Sequence, residues 1–417
     1  MILSLDFTVK NGKTVLTGRK SGELAAVIEY DGVLTVRVWS DFRKEPLTLK
    51  ANAQPGDTAS LSVFRARMEL RVNGELCDEE WQYGKLYLEK DCAQSGDIPV
   101  KISEKETEGT VGTNTRRAIA TAQIRIPGVN IGDCIPFSDP ENDGRYHLIY
   151  LYDRHHHGSK WGFGAHQWAH LTTTDFENWD EYPMAVPITE PWEGSICTGS
   201  VCKAVKDDKK TAYYAWYAVR MCDRSPARIT CACSDDMVRF TKCKEFFSLP
   251  EGYEPTSARD PMVFYLDGLY HMFVTTSRLS DNTGCLAHLV NDRMAIDGWK
   301  NAGIALPWGD IASPGDERRF WQPECPDHFR MGDYFYLVFG IGGVGHYVYS
   351  KDPYSGWVYD ENNTIPCGNV PKSAVLPGDG RRIFCGFICE GGYGGRLRAI
   401  EAKQKGDGRL EFTDIIN

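Results

Sequence analysis

The chain predicts an all-β protein, a five-bladed β-propeller preceded by an N-terminal β-sandwich module, and three observations carry that reading. Almost every periodic segment alternates with period two and is rich in Val, Tyr, Phe and Thr, whereas helical stretches longer than about ten residues are hard to find. Five aromatic, strand-like segments recur at intervals of roughly 50 to 65 residues, the length of a four-stranded blade. The opening third differs: short strands are punctuated by turn residues, with Asn73-Gly74 between Met68–Val72 and Glu75-Leu76, the strongest short-range hairpin signal.

Taken in order, residues 1–115 form the expected sandwich and residues 116–417 the expected propeller. The boundary is placed near Lys105 to Asn114, where Glu, Thr, Gly and Asn replace apolar residues as they do in linkers. The five blade segments begin at Tyr146, Ala212, Leu269, Tyr334 and Arg382. Asp143-Gly144, Asp267-Gly268 and Asp379-Gly380 stand just before three of them, as hairpins inside blades require. An open double sandwich is the alternative. Leu61 to Glu80 is similar to concanavalin-like repeats of laminin-G type, for which sugar binding and packing against the propeller are both open readings.

Composition narrows the function classes. A hydrophobic share of 42%, a charged share of 25% and a mean hydropathy of -0.39, with no long apolar run, argue against a membrane span. A formal charge of -10, without Lys or Arg interleaved with aromatics, leaves no electrostatic footprint for nucleic acid. The first ten residues read as a strand, not as a charged stretch followed by an apolar leader, so a cytoplasmic location is expected. The 14 cysteines include Cys231, Cys233, Cys385 and Cys389 inside apolar runs; they read as thiols, and no metal or other cofactor is expected.

A propeller gathers the first strand of each blade around one axial pocket, so acidic residues far apart in sequence can converge there. Three stand out: Asp133 in Ile131-Gly132-Asp133-Cys134, Asp260 in Arg259-Asp260-Pro261, and Glu324 in Glu324-Cys325-Pro326-Asp327. Taken singly, two have an ordinary explanation, a strand start for Asp133 and a blade-edge ion pair for Arg259 and Asp260, whereas Glu324, flanked so closely by prolines, is hard to explain as an ordinary solvated face.

Arg259-Asp260-Pro261 and Glu324-Cys325-Pro326-Asp327 resemble the R-D-P and E-C-P-D signatures of glycoside hydrolase family 32, the invertase and fructanase group. Trp161 through Trp179, with Ala165-His166-Gln167-Trp168-Ala169-His170 and Thr174-Asp175-Phe176, resembles the family's W-G-H-A and S-x-D-L-x-x-W segment. Thr198-Gly199-Ser200-Val201 is similar to its S-G-S-A, and Asp379–Ile383 to its final-blade strand. The resemblance runs collinearly from about Gly132 to Phe387. It implies Asp133 as nucleophile, Glu324 as general acid/base and Asp260 as transition-state stabiliser of a retaining glycosidase. Burial among Pro, Cys, Phe320 and Trp321 is expected to raise the acid's pKa, and Arg259 to keep Asp260 ionised.

The nucleophile segment departs from the family's W-M-N-D-P-N-G, reading Asn130-Ile131-Gly132-Asp133-Cys134-Ile135-Pro136. That departure puts fructose specificity in question. Substrate contacts are expected from Arg259, from His155, His156 and Lys160 in the basic cluster Asp153–Lys160, from His166, Gln167 and Trp168, from Ser200, and from Trp192 and Trp321 as stacking faces. Packing in the blade core or a solvated loop is the competing use of each. The expected function is a retaining hydrolase of furanoside or fructoside-like oligosaccharides or sugar conjugates. An inverting glycosidase, a glycoside phosphorylase, and a non-catalytic sugar-binding propeller are the alternatives, and the oligomeric state is open.

Overall fold

The computed structural model describes all residues except 1, 21, 42, 64–66, 82–84, 106–115, 119–129, 154–165, 191, 206–209, 313–314, 361 and 417. The chain divides into two compact units: one is built on Met1–Thr110 and takes in Ile188–Gly194, and the other includes His166–Pro187 and Ser195–Asn417. The boundary expected near residue 115 lies outside the described residues.

The N-terminal unit is a β-sandwich of two five-stranded antiparallel sheets. One is ordered Val100–Lys105, Ile2–Thr8, Thr58–Val63, Arg67–Val72, Glu75–Trp81; the other Arg43–Ala51, Leu34–Ser40, Leu24–Tyr30, Gly12–Thr17, Ala93–Gly96. Alternating side chains such as Leu5, Leu16, Ile28, Val36, Leu49, Leu61 and Leu70 share one core between the sheets. Asn73 and Gly74 both have positive φ, 51° and 86°, the backbone that a two-residue hairpin turn demands.

The second unit carries the five blades. The first contains Asn130–Ser138, Tyr146–Asp153, Gln167–Thr173 and Asn178–Val186; the second Glu193–Val205, Thr211–Met221, Arg228–Ser234 and Thr241–Lys242. The third contains Arg259–Leu266, Leu269–Ser277, Gly284–Asn291 and Lys300–Leu306, and the fourth Glu324–Met331, Tyr334–Ile341 and Val344–Ser350. The fifth contains Asn369–Val375, Arg382–Cys389, Gly395–Gln404 and Leu410–Ile416. Its Gly395 pairs with Ile131, joining the last blade to the first.

The five aromatic segments read from the sequence are the second strands of the five blades. They are buried on both faces: Tyr146, Trp216, Phe273, Tyr336 and Phe384 have no exposed surface. Each such side chain contributes about 1.5–3 kcal/mol on burial, which is why these strands are the most apolar of each blade. Asp267-Gly268 adopts the positive-φ pair of a tight hairpin, 51° and 83°. All 14 cysteines are free thiols, and 11 of them lie within the buried cores or pack partly buried against them, as an apolar context predicts, whereas Cys389 is exposed.

Candidate active site

In four blades the pairing between first and second strand skips two residues at the same place: from Ile131 to Cys134, Arg259 to Met262, Glu324 to Asp327 and Asn369 to Lys372. Such bulges re-aim side chains that a regular pleat would point sideways. The first skipped residue is Gly132, Asp260, Cys325 or Val370, and the last three have φ of 53°, 52° and 33°. The second is Asp133 in the first blade and proline, Pro261, Pro326 or Pro371, in the others. Proline suits a position that leaves the ladder, because it has no N–H to leave unpaired.

The bulges bring together the three carboxylates. The Cys325 thiol lies 3.6 Å from Oδ2 of Asp133 and 3.6 Å from Oδ2 of Asp260, so one sulfur contacts both. The Cys325 N–H also donates to Asp260 Oδ2 at 3.0 Å. Asp133 Oδ2 accepts from the Thr198 hydroxyl, and Oδ1 from the Tyr393 hydroxyl at 2.8 Å. Burial pushes the Asp133 carboxyl above the usual range; the Thr198 and Tyr393 hydrogen bonds oppose this, and the charge of Asp260 reinforces it.

Glu324 is the more open carboxylate, its side chain 42% exposed, which leaves it accessible to a ligand. Burial of the remainder raises its pKa, the negative charges of Asp260 and then Asp133 contribute, and Arg259 opposes them. Arg259 Nη2 donates to Glu324 Oε1 at 2.9 Å, whereas its Nε stands 3.9 Å from Asp260 Oδ2. Arg259 therefore pairs with both carboxylates, with its direct hydrogen bond going to Glu324. Its other end is fixed by the Ser257 carbonyl at 2.9 Å and by Gln322, which in turn bonds Ser257 and Ser277. Phe320 and Trp321, upstream of Glu324, are themselves 53% and 49% exposed.

The other candidates divide clearly. Trp321 lies over the turn at Gly342, where a Cβ would come within 2.9 Å of its ring, and it presents an indole three residues before Glu324. His166 is buried, its Nε2 bonded to Asp153 at 3.0 Å and its ring 5.1 Å from that of Tyr393. Gln167 and Trp168 are fully buried; the Trp168 indole donates to the Cys197 carbonyl at 2.9 Å and meets Tyr217 edge-on, so it packs in the core between the first and second blades. Ser200 accepts from the Val263 N–H at 2.8 Å and donates to the Pro261 carbonyl at 2.9 Å, clamping the bulge that holds Asp260. Trp192 is exposed within the segment Ile188–Gly194, which groups with the N-terminal unit. His155, His156 and Lys160 lie outside the described residues.

Four participants escaped the sequence reading. Thr198 and Tyr393 bond Asp133, and the Cys325 thiol joins the two aspartates. Lys372, buried in the fifth blade, donates to the Gly199 carbonyl of the second at 2.7 Å. The only signal for Tyr393 is a lone aromatic in Gly391-Gly392-Tyr393-Gly394-Gly395. Among the described residues, no group of three or more His, Cys, Asp or Glu could hold a metal ion.

A family model described as Glycosyl hydrolases family 32 N-terminal domain matches residues 139–365, a span that contains Asp260 and Glu324 and begins after Asp133. The raffinose invertase of Escherichia coli is 29% identical over 210 residues, 48% of this chain and 40% of that protein. A probable sucrose-6-phosphate hydrolase of Psychromonas ingrahamii is 27% identical over 277 residues, 64% of this chain and 44% of that one. The chain therefore spans less than half the length of these two curated relatives. Among solved structures, sucrose-6-phosphate hydrolase from Lactobacillus gasseri superposes with a TM-score of 0.53 at 18% identity, covering 68% of this chain and 61% of that one.

Proposed function

The chain belongs to glycosyl hydrolase family 32, and from that premise we propose that it is a retaining hydrolase of fructoside-like furanosides, with Asp133 as nucleophile, Glu324 as acid/base and Asp260 as stabiliser. The observation that carries the reading is the convergence of three carboxylates from three blades, two of them on the single thiol of Cys325. Asp133 lies outside the span matched to the family, so its role rests on this geometry and on its place in the first-blade bulge. The relatives, a raffinose invertase and a probable sucrose-6-phosphate hydrolase, suggest the substrate class.

In the proposed reaction the ionised Asp133 attacks the anomeric carbon while Glu324 protonates the departing glycosidic oxygen, giving a glycosyl ester and a free alcohol. Water, deprotonated by Glu324, then attacks the same carbon and releases Asp133. Asp260, fixed by the Cys325 N–H, accepts hydrogen bonds from sugar hydroxyls that strengthen as positive charge develops. Trp321 offers an apolar face for the ring.

Incubating the protein with sucrose, raffinose and sucrose 6-phosphate, and following the first-formed anomer of the released sugar by carbon NMR, tests the proposal. Retention is expected. Net inversion, or turnover that requires inorganic phosphate, would overturn it, as would the absence of turnover on every furanoside offered.

Arg259 supplies a second test. It holds down the pKa of Glu324, so Arg259→Gln lets that pKa rise and keeps the acid protonated to higher pH. The basic limb of kcat/KM should move upward in pH, with the optimum value reduced about tenfold to hundredfold as the arginine's hydrogen bond is lost. A basic limb that stays in place would dissociate Glu324 from the acid role.

A further inference from the structure

We propose that Tyr393 of the fifth blade is the positioning residue of the nucleophile, admitted to Asp133 by the missing side chain of Gly132. The inference rests on the reading of Asp133 as nucleophile. Three observations on different residues carry it.

The first is the contact itself. The Tyr393 hydroxyl accepts from the Asp133 N–H at 3.0 Å and donates to Asp133 Oδ1 at 2.8 Å, gripping backbone and carboxylate of one residue together. The second is the bulge. Where the third, fourth and fifth blades place proline, the first places an aspartate, whose N–H leaves the strand ladder and needs another acceptor. Tyr393 is that acceptor. The third is the cradle: a Cβ on Gly132 would sit 2.6 Å from the Tyr393 hydroxyl oxygen and 2.8 Å from its ring. Gly132 has no positive φ to explain it. The glycine is needed for space, and the space is filled by this tyrosine.

Tyr393 stands in Gly391-Gly392-Tyr393-Gly394-Gly395, whose last residue pairs with Ile131. The junction of the last and first blades therefore aligns the nucleophile. With Thr198 holding Oδ2 and Tyr393 holding Oδ1, both oxygens are fixed before a substrate arrives, which lowers the reorganisation needed at the attack. This arrangement also accounts for the departure from the family's Asn-Asp pair at Gly132-Asp133: an asparagine side chain at 132 would occupy the volume of the tyrosine.

The titratable and charged groups facing Asp133 are Asp260, Glu324, His166 with its partner Asp153, Tyr393, and the thiols of Cys325 and Cys134. Of these, the Tyr393 hydroxyl donates to the ionised form and favours it. Tyr393→Phe removes the donor and keeps the ring, which contacts His166 and Phe387 at 5.1 and 5.2 Å between centroids. The acidic limb of kcat/KM should then move to higher pH, and kcat at the optimum should fall about tenfold to hundredfold, the size of one hydrogen bond to a charged group. Gly132→Ala should do the same by expelling the ring, and the double variant should be no worse than the poorer single, since both remove one contact.

Thermal unfolding of each variant reports whether the fold persists. An acidic limb unmoved in a folded Tyr393→Phe protein, or additive losses in the double variant, would overturn the proposal. Asp133→Asn, assayed alongside, separates the two claims: undiminished turnover in that variant would sink the nucleophile and Tyr393 together, whereas its inactivity beside an unmoved limb in Tyr393→Phe removes only the latter.

Discussion

Asp133→Asn is expected to lower kcat roughly 10,000-fold or more, the scale on which removing a nucleophile acts when the rest of the site remains. Asparagine keeps the volume and an acceptor oxygen, and the Thr198 and Tyr393 hydroxyls can turn to suit an amide. What disappears is the charge proposed to attack the anomeric carbon. The fold should not suffer. Burial and the neighbouring Asp260 raise the folded-state pKa of Asp133, so ionising this carboxylate runs against the preference of its surroundings. A raised pKa of this sign costs stability above the unfolded-state value and costs none at low pH, where the group is protonated in both states. The melting temperature of the variant should therefore equal or exceed the parent's at neutral pH, with the difference closing in acid. Loss of activity together with lower thermal stability at neutral pH would point to misfolding instead.

The blades were legible because their second strands are buried on both faces, leaving dense aromatic runs such as Tyr146–Tyr150 and Leu269–Phe273 at regular intervals. Asp260 and Glu324 were legible because the prolines and Cys325 of the bulges write the local geometry into short motifs. The same double burial hid other roles. Gln167–Thr173 is buried at every position, so no alternation marks which side chains face the axis, and Trp168 reads equally well as a pocket wall or as core. Its hydrogen bond to Cys197 settles the matter for core.

Thr198, Cys325 and Tyr393 were invisible as partners for another reason. Each reaches Asp133 from a different blade, at sequence separations of 65, 192 and 260 residues, and a bulge decides which way the aspartate points. A one-residue change in register would turn every one of these contacts aside. Ser200 shows the converse: it was recognisable from a motif, and the structure gives it a backbone clamp on the bulge of Asp260 rather than an open hydroxyl.

The two carboxylates proposed to do the chemistry should respond differently to amide substitution, and the leaving group exposes the difference. Glu324→Gln retains the shape of the side chain and loses the transferable proton. For an unactivated alkyl fructoside such as sucrose, kcat/KM should fall about 100-fold to 10,000-fold, the usual contribution of general acid catalysis. For an aryl furanoside whose phenolate departs without protonation, the first step should be nearly spared. The second step still lacks its base, so a burst of phenol followed by slow turnover is expected, and the glycosyl ester on Asp133 should accumulate to a mass detectable on the intact protein. A small anionic nucleophile such as azide, which needs no deprotonation, should restore turnover in Glu324→Ala, where the cavity admits it. Asp133→Asn should show none of these behaviours, because without the attacking carboxylate neither leaving group is displaced. Equal losses on both substrates in Glu324→Gln, with no burst and no rescue, would mean that Glu324 binds the sugar instead of moving its proton, and Arg259, which grips the same carboxylate at 2.9 Å, would then be part of a binding pair.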